Sequence, residues 1–131
     1  MSITQDWHGH HVKVWTDLFK FMKGQPNLHF LEIGSFEGNS AIWCLNNVLT
    51  DPTSDITCID PFLPLIKEYE AFGINMDNLY ERFLANIKPY EKQVIVRKGL
   101  SDRELKKLPY NFYDFVYIDG HHGVSYVMND L

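Results

Sequence analysis

Basic clusters, long apolar runs and paired cysteines are all scarce in this chain, and each scarcity removes a class of function. Lys and Arg number 12 against 17 Asp and Glu, for a net charge of −5. That balance disfavours attraction to nucleic acid or to an anionic membrane, and "ELKK" and "VRK" read as ordinary solvated faces. No apolar stretch approaches the roughly 20 residues that span a bilayer. The two cysteines, Cys44 and Cys58, sit in apolar segments without Cys-x-x-Cys spacing. They are expected to be buried thiols of a reducing compartment rather than a disulfide. The opening "MSITQDWHGHH" carries neither a secretory nor a transit pattern, so a cytoplasmic protein is expected. His8, His10 and His11 read as a surface cluster. There is no internal repeat or low-complexity tract.

What is present suits one packed domain: of 131 residues, 45% are hydrophobic and 15% aromatic. The periodicities alternate. Val12, Trp15, Leu18, Phe19 and Met22 fall at helical spacing, and Gly24 with Pro26 stops that helix. "LHFLEI" (28–33) is a short apolar strand that runs into glycines. "NSAIWCLNNVL" (39–49) is helical, with Ile42, Leu45, Val48 and Leu49 on one face, and "ITCID" (56–60) is a second strand. The segment 61–76, with two prolines and a glycine, reads as irregular or a lid. "DNLYERFLANI" (77–87) is a helix with Asp77 at its cap and Tyr80, Phe83, Leu84 and Ile87 as its apolar stripe. "QVIVRKG" is a third strand. "SDRE" (101–104) has the capping-box pattern of a short helix that Pro109 ends. "YDFVYIDG" is a fourth strand, and "VSYVMNDL" opens another helix.

Such alternation predicts an α/β fold: a Rossmann-like, doubly wound parallel sheet covered on both faces. Right-handed crossovers then bring every strand's carboxyl end to one edge, where ligands bind. The polar and glycine residues cluster at those ends: Glu32 to Gly38, Asp60, Gly99 to Ser101, and Asp119 to His122.

The glycine loop "LEIGSFEGNSA" (31–41) is poorly suited to phosphate. Dinucleotide loops need Gly-x-Gly-x-x-Gly, whose middle glycine lets backbone approach a pyrophosphate, and Phe36 stands there instead. No Lys follows as in a nucleoside triphosphate loop. Glu32 and Glu37 would repel a diphosphate, on the order of 4 kcal/mol for a desolvated like-charge pair a few ångströms apart. A nicotinamide oxidoreductase is disfavoured on the same grounds. The loop suits a ligand with adenosine at one end and positive charge at the other. Asp60 stands where an acid accepts hydrogen bonds from ribose hydroxyls, and Glu32 could balance an ammonium or sulfonium. S-adenosylmethionine fits that description.

"LEIGSFEGNSAIW" resembles the first motif of class I S-adenosylmethionine-dependent methyltransferases, which favour acid-x-Gly-x-x-x-Gly. The similarity continues through "ITCIDPF", "INMDNLYERFLANI", "VIVRKGLSDRELKKLP" and "YDFVYIDGHHGVSYVMNDL", and together these resemble the type-24 methyltransferase domain branch over residues 28–131. The resemblance implies that Glu32, Gly34, Ser35 and Gly38 line the methionine moiety, that Asp60 holds the ribose, and that Leu100 and Ser101 flank the adenine. Asp119 would face the methionine end and the substrate. Asp119, His121 and His122 are the candidate catalytic residues, as general base or substrate contacts. Adjacent imidazoles point in different directions and no third ligand is evident, so a divalent metal there is the minor alternative. The reaction implied is O- or N-methylation of a small-molecule acceptor, with S-adenosylhomocysteine as product.

The resemblance also implies a shortfall. The full fold is seven-stranded, and this chain holds four strands, in the expected order 3-2-1-4, after an N-terminal helical segment at 1–27. A truncated domain is the expectation, with catalysis weakened or lost if acceptor-binding strands are missing. The outer edge of the fourth strand would be apolar and open to self-association. The alternative to an enzyme is therefore a non-catalytic S-adenosylmethionine-binding or self-associating module.

Overall fold

A computed structural model describes residues 12–35, 37–62 and 78–118. Its strands are β1 (His29–Ile33), β2 (Asp55–Asp60), β3 (Val94–Lys98) and β4 (Phe115–Ile118). They form one wholly parallel sheet in the order β3-β2-β1-β4. The order follows from the connections. Helix α2 (Asn39–Asn47) crosses from β1 to β2, and α3 (Leu79–Ile87) with the 3-10 turn Lys88–Gln93 precedes β3. After β3 comes a single helical turn, α4 (Ser101–Glu104), continued by the 3-10 turn Leu105–Lys107, and the chain returns to the other side of β1. This is the expected Rossmann-like strand order. Among the described residues no helix is long and apolar enough to cross a membrane.

The pleat sorts the strand residues onto two faces. Phe30, Ile56, Cys58, Val94, Val96, Phe115 and Tyr117 meet α1 (Val12–Leu18), α2 and α3 in the principal core. Trp15 of α1 makes edge-on contacts with Trp43 at 5.8 Å and Tyr117 at 4.7 Å, so the N-terminal helix is part of this core. The opposite face carries Leu31, Ile33 and Ile59, against which only Leu105, Leu108, Tyr113 and Ile118 are packed in that cluster. Ile95 and Val116, on the same face, stay 46% and 45% exposed. Among the described residues, α1, α2 and α3 thus cover one face, and the β3–β4 connection, a turn of helix with the 3-10 turn after it, packs on the other.

Four local expectations change. Helix α1 stops at Leu18 rather than Met22, since Met22 and Lys23 both donate to the Phe19 carbonyl and Gly24 N–H turns to Val48 O at 3.0 Å. The buried stripe of α3 is Leu79, Phe83, Asn86 and Ile87, while Leu84 faces outward. Asp77 lies outside the described residues; Asn78 occupies the α3 cap position in a left-handed conformation, with no side-chain capping bond. Ser101 is the first residue inside α4, not its cap. Extended Leu100 holds that position, and Glu104 turns to Lys107 at 2.9 Å and to Arg97 at 3.7 Å instead of closing a capping box.

The amino ends of three strands are tied by one knot. His29 Nδ1 lies 2.9 Å from Asp55 Oδ1, and the His29 N–H donates to Asp114 Oδ2 at 2.8 Å. That fixes the register of β1 against both neighbours, and hence the alignment of their carboxyl ends.

Candidate functional site

Three strands deliver their polar residues to the carboxyl edge. Glu32, the penultimate residue of β1, pairs in register with Cys58 and Tyr117 and is only 2% exposed. Asp60 ends β2, one pleat beyond Cys58 on the same face, and is also buried. Both acids therefore project towards the helices of the principal core side. Gly99, just after β3, donates its N–H to the Asp60 carbonyl at 3.1 Å, which sets Leu100 and Ser101 beside the end of β2.

Between Glu32 and α2 the chain must turn sharply, and glycine permits it. Gly34 has φ +91 and donates its N–H to Ile59 O at 2.8 Å. Gly38 has φ +92, donates to Ser35 O at 2.9 Å and caps α2. A Cβ on Gly38 would meet the Phe83 ring at 3.2 Å and Ile87 at 3.4 Å, so the end of the loop rests directly on α3. Ser35 is buried, and its hydroxyl has no well-aligned hydrogen-bond partner among the described residues. It lies near enough to the Cys58 thiol to oppose, weakly, the upward push there. Burial, then the Glu32 carboxylate, hold that thiol well above its ordinary value. Cys44 is raised likewise, by burial first and Glu32 second. Both cysteines are free and buried.

The carboxylate of Asp60 is partly committed to the backbone: Oδ1 accepts the Phe62 N–H at 2.7 Å in a tight turn. Phe62 has φ +55 and is buried against Tyr80 at 5.0 Å and Phe83 at 4.8 Å, so it is a core residue. Lys98, in register with Asp60, lies over the Tyr80 ring at 4.4 Å.

Glu37 departs from the sequence reading. It is 4% exposed and forms an ion pair with Arg82 of α3, while its carbonyl accepts the Asn86 amide at 2.9 Å. Its charge is paired inside the protein, so of the two loop acids only Glu32 is left to repel a diphosphate. The signal for this contact was Asn86, an amide on the buried stripe of a helix, where a polar group needs a partner. Asp119, His121, His122 and Phe36, like His8, His10 and His11, lie outside the described residues. Among the described residues no three His, Cys, Asp or Glu side chains are grouped as a metal would require.

A family model described as a methyltransferase domain, of the type-24 branch, matches residues 31–131. The chain belongs to that family. No curated protein matches the chain. The β1 turn lies within the matched region of this methyltransferase domain, and it carries two of the three positive-φ glycines among the described residues, Gly34 and Gly38. The donor set also fits the cofactor such domains use: two buried carboxylates at adjacent strand ends and a glycine loop with a buried hydroxyl.

Proposed function

We propose that this domain binds S-adenosylmethionine at the carboxyl edge of β1 and β2 and transfers its methyl group to a small-molecule oxygen or nitrogen. The observation that carries the reading is the pair of buried acids, Glu32 and Asp60, on one face at neighbouring strand ends, beside glycines at positive φ. When bound, S-adenosylmethionine supplies a methyl group activated by its sulfonium. Asp60 accepts the ribose hydroxyls, Glu32 balances the cationic methionine end, and Leu100 and Ser101 flank the adenine. The Gly34–Gly38 backbone allows close approach, and Ser35 offers its hydroxyl.

The acceptor's lone pair forms the new bond to carbon as the carbon–sulfur bond breaks, and the electron pair leaves with S-adenosylhomocysteine. The acceptor's proton passes to a base, for which Asp119, His121 and His122 are the candidates. Holding acceptor and methyl in line supplies most of the rate, since the leaving group is already good. Calorimetry of the chain with S-adenosylhomocysteine and with NAD tests the site. Binding of NAD alone, or of neither, would sink it. Methyl release to hydroxyl and amine acceptors, with Asp119→Ala as control, tests the chemistry.

One feature favours association of copies as well. Among the described residues β4 pairs only with β1, and its Val116 is 45% exposed. A second copy of the chain could extend the sheet there. Sedimentation should then show a dimer that Val116→Lys weakens, and a monomer at all concentrations would refute it.

A further inference from the structure

We propose that Arg82 and Asn86 of α3 are positioning residues: they clamp Glu37, set the conformation of the glycine loop, and so set the affinity of the site for an S-adenosyl ligand. The second half of that statement rests on the function proposed above; the first half does not.

The loop from Gly34 to Gly38 turns at two glycines, the residues with most conformational freedom to lose on ordering. Among its described residues, Gly34 N–H reaches Ile59 O at 2.8 Å, Gly38 N–H reaches Ser35 O at 2.9 Å, and Gly38 O accepts Ile42 N–H at 2.9 Å. Helix α3 adds a further hold. The Arg82 guanidinium meets the Glu37 carboxylate, the Asn86 amide donates to the Glu37 carbonyl at 2.9 Å, and Phe83 and Ile87 lie under Gly38. Four residues on one side of α3 thus grip the last two residues of the loop.

Burial makes the grip strong. The Glu37 side chain is 4% exposed and Arg82 15%, so removing either partner leaves the other charge largely buried. Asn86 is 2% exposed, so its amide likewise depends on partners inside the protein. Glu37 is therefore not a ligand-facing acid. It is the handle by which a helix distant in sequence holds the turn that follows β1. Arg82 and Asn86 reach the loop through Glu37, so the clamp is expected to act on affinity rather than on the chemical step.

The test uses the full chain, with Arg82→Ala, Arg82→Lys and Glu37→Gln. Amide hydrogen exchange of the free protein reads the clamp directly, and calorimetry with S-adenosylhomocysteine reads its consequence. In Arg82→Ala, exchange at residues 34–42 should quicken about tenfold while β2 and β3 amides are unchanged, and Kd should rise about tenfold. Arg82→Lys should recover part of both. Should Arg82→Ala fail to fold, Glu37→Gln keeps the shape, removes the charge and carries the same readouts. Unchanged loop exchange, or quickening spread evenly over the sheet, would overturn the clamp. So would localised quickening in a variant that binds S-adenosylhomocysteine as tightly as the wild type. If loop exchange responds but the wild type binds no S-adenosylhomocysteine, the clamp on the loop stands and the S-adenosyl reading fails.

Discussion

A Cβ built on Gly38 would lie 3.2 Å from Cδ2 of Phe83, so the glycine closing the loop and the ring on α3 touch with no space for a side chain. Gly38 is also at φ +92, a conformation that costs any L-residue on the order of 1 kcal/mol. Gly38→Ala should therefore destabilise the fold by about 2 kcal/mol, strain and crowding together. Urea unfolding measures it. Phe83→Leu should relieve the crowding half, so the double variant should be less destabilised than the sum of the two singles. Strict additivity would show that the contact is not the cause.

Much of this was legible in the sequence because the signals were local. Apolar strands ending in Gly or Asp, separated by helical periodicity, marked β1 to β4 as strands, and the family resemblance supplied their order in the sheet. The two glycines in the loop marked the positive-φ turns that Gly34 and Gly38 make. What escaped was set by contacts between distant segments. Glu37 and Arg82 are 45 residues apart, and nothing near Glu37 distinguishes an acid facing a ligand from one paired inside. Leu84 fits the apolar period of α3, yet the helix is turned so that Asn86 is buried and Leu84 is not. Ser101 has the right spacing from Glu104 for a capping box, but Lys107 and Arg97 compete for that carboxylate.

Asp60 does two jobs, and two substitutions separate them. Its Oδ1 holds the turn through Phe62 N–H at 2.7 Å, and its carboxylate is proposed to hold the ribose. Asp60→Asn keeps an oxygen for the turn but replaces the other acceptor with a donor. It should leave urea stability within about 0.5 kcal/mol and raise the S-adenosylhomocysteine Kd about tenfold. Asp60→Ala should lose the same affinity and a further ~1 kcal/mol of stability. Equal affinity for wild type and both variants would remove Asp60 from the site.

Glu104 links α4 and its following turn to β3. The hydrogen bond from Lys107 comes first in holding its pKa below the ordinary 4.5, with the Lys107 and Arg97 charges adding to it. A lowered folded pKa contributes stability that is fully present above the unfolded value and is lost as pH falls through the folded one. The loss therefore begins near the ordinary 4.5 and continues below it. Glu104→Gln should flatten the acid limb of a stability–pH curve in that window and leave the neutral region nearly level. An acid limb identical to wild type would show that the group contributes nothing.

Cys44 and Cys58 give the opposite slope. Burial chiefly, and the Glu32 carboxylate next, raise both thiols well above the ordinary 9.0. A raised folded pKa means stability that is complete below the unfolded value and falls as pH climbs past it, because only the unfolded chain can ionise its thiols freely. The native protein should thus lose stability above about pH 9, and Cys58→Ala should lessen that loss while costing some packing at neutral pH. The same burial keeps the thiolates that react with disulfide reagents from forming. Ellman's reagent at pH 8 should label neither cysteine until urea unfolds the chain, and then both together. Fast labelling of either thiol in the native state would mean that the β1–β2 interior beneath Glu32 opens to solvent, and the buried-acid site built upon it would have to be redrawn.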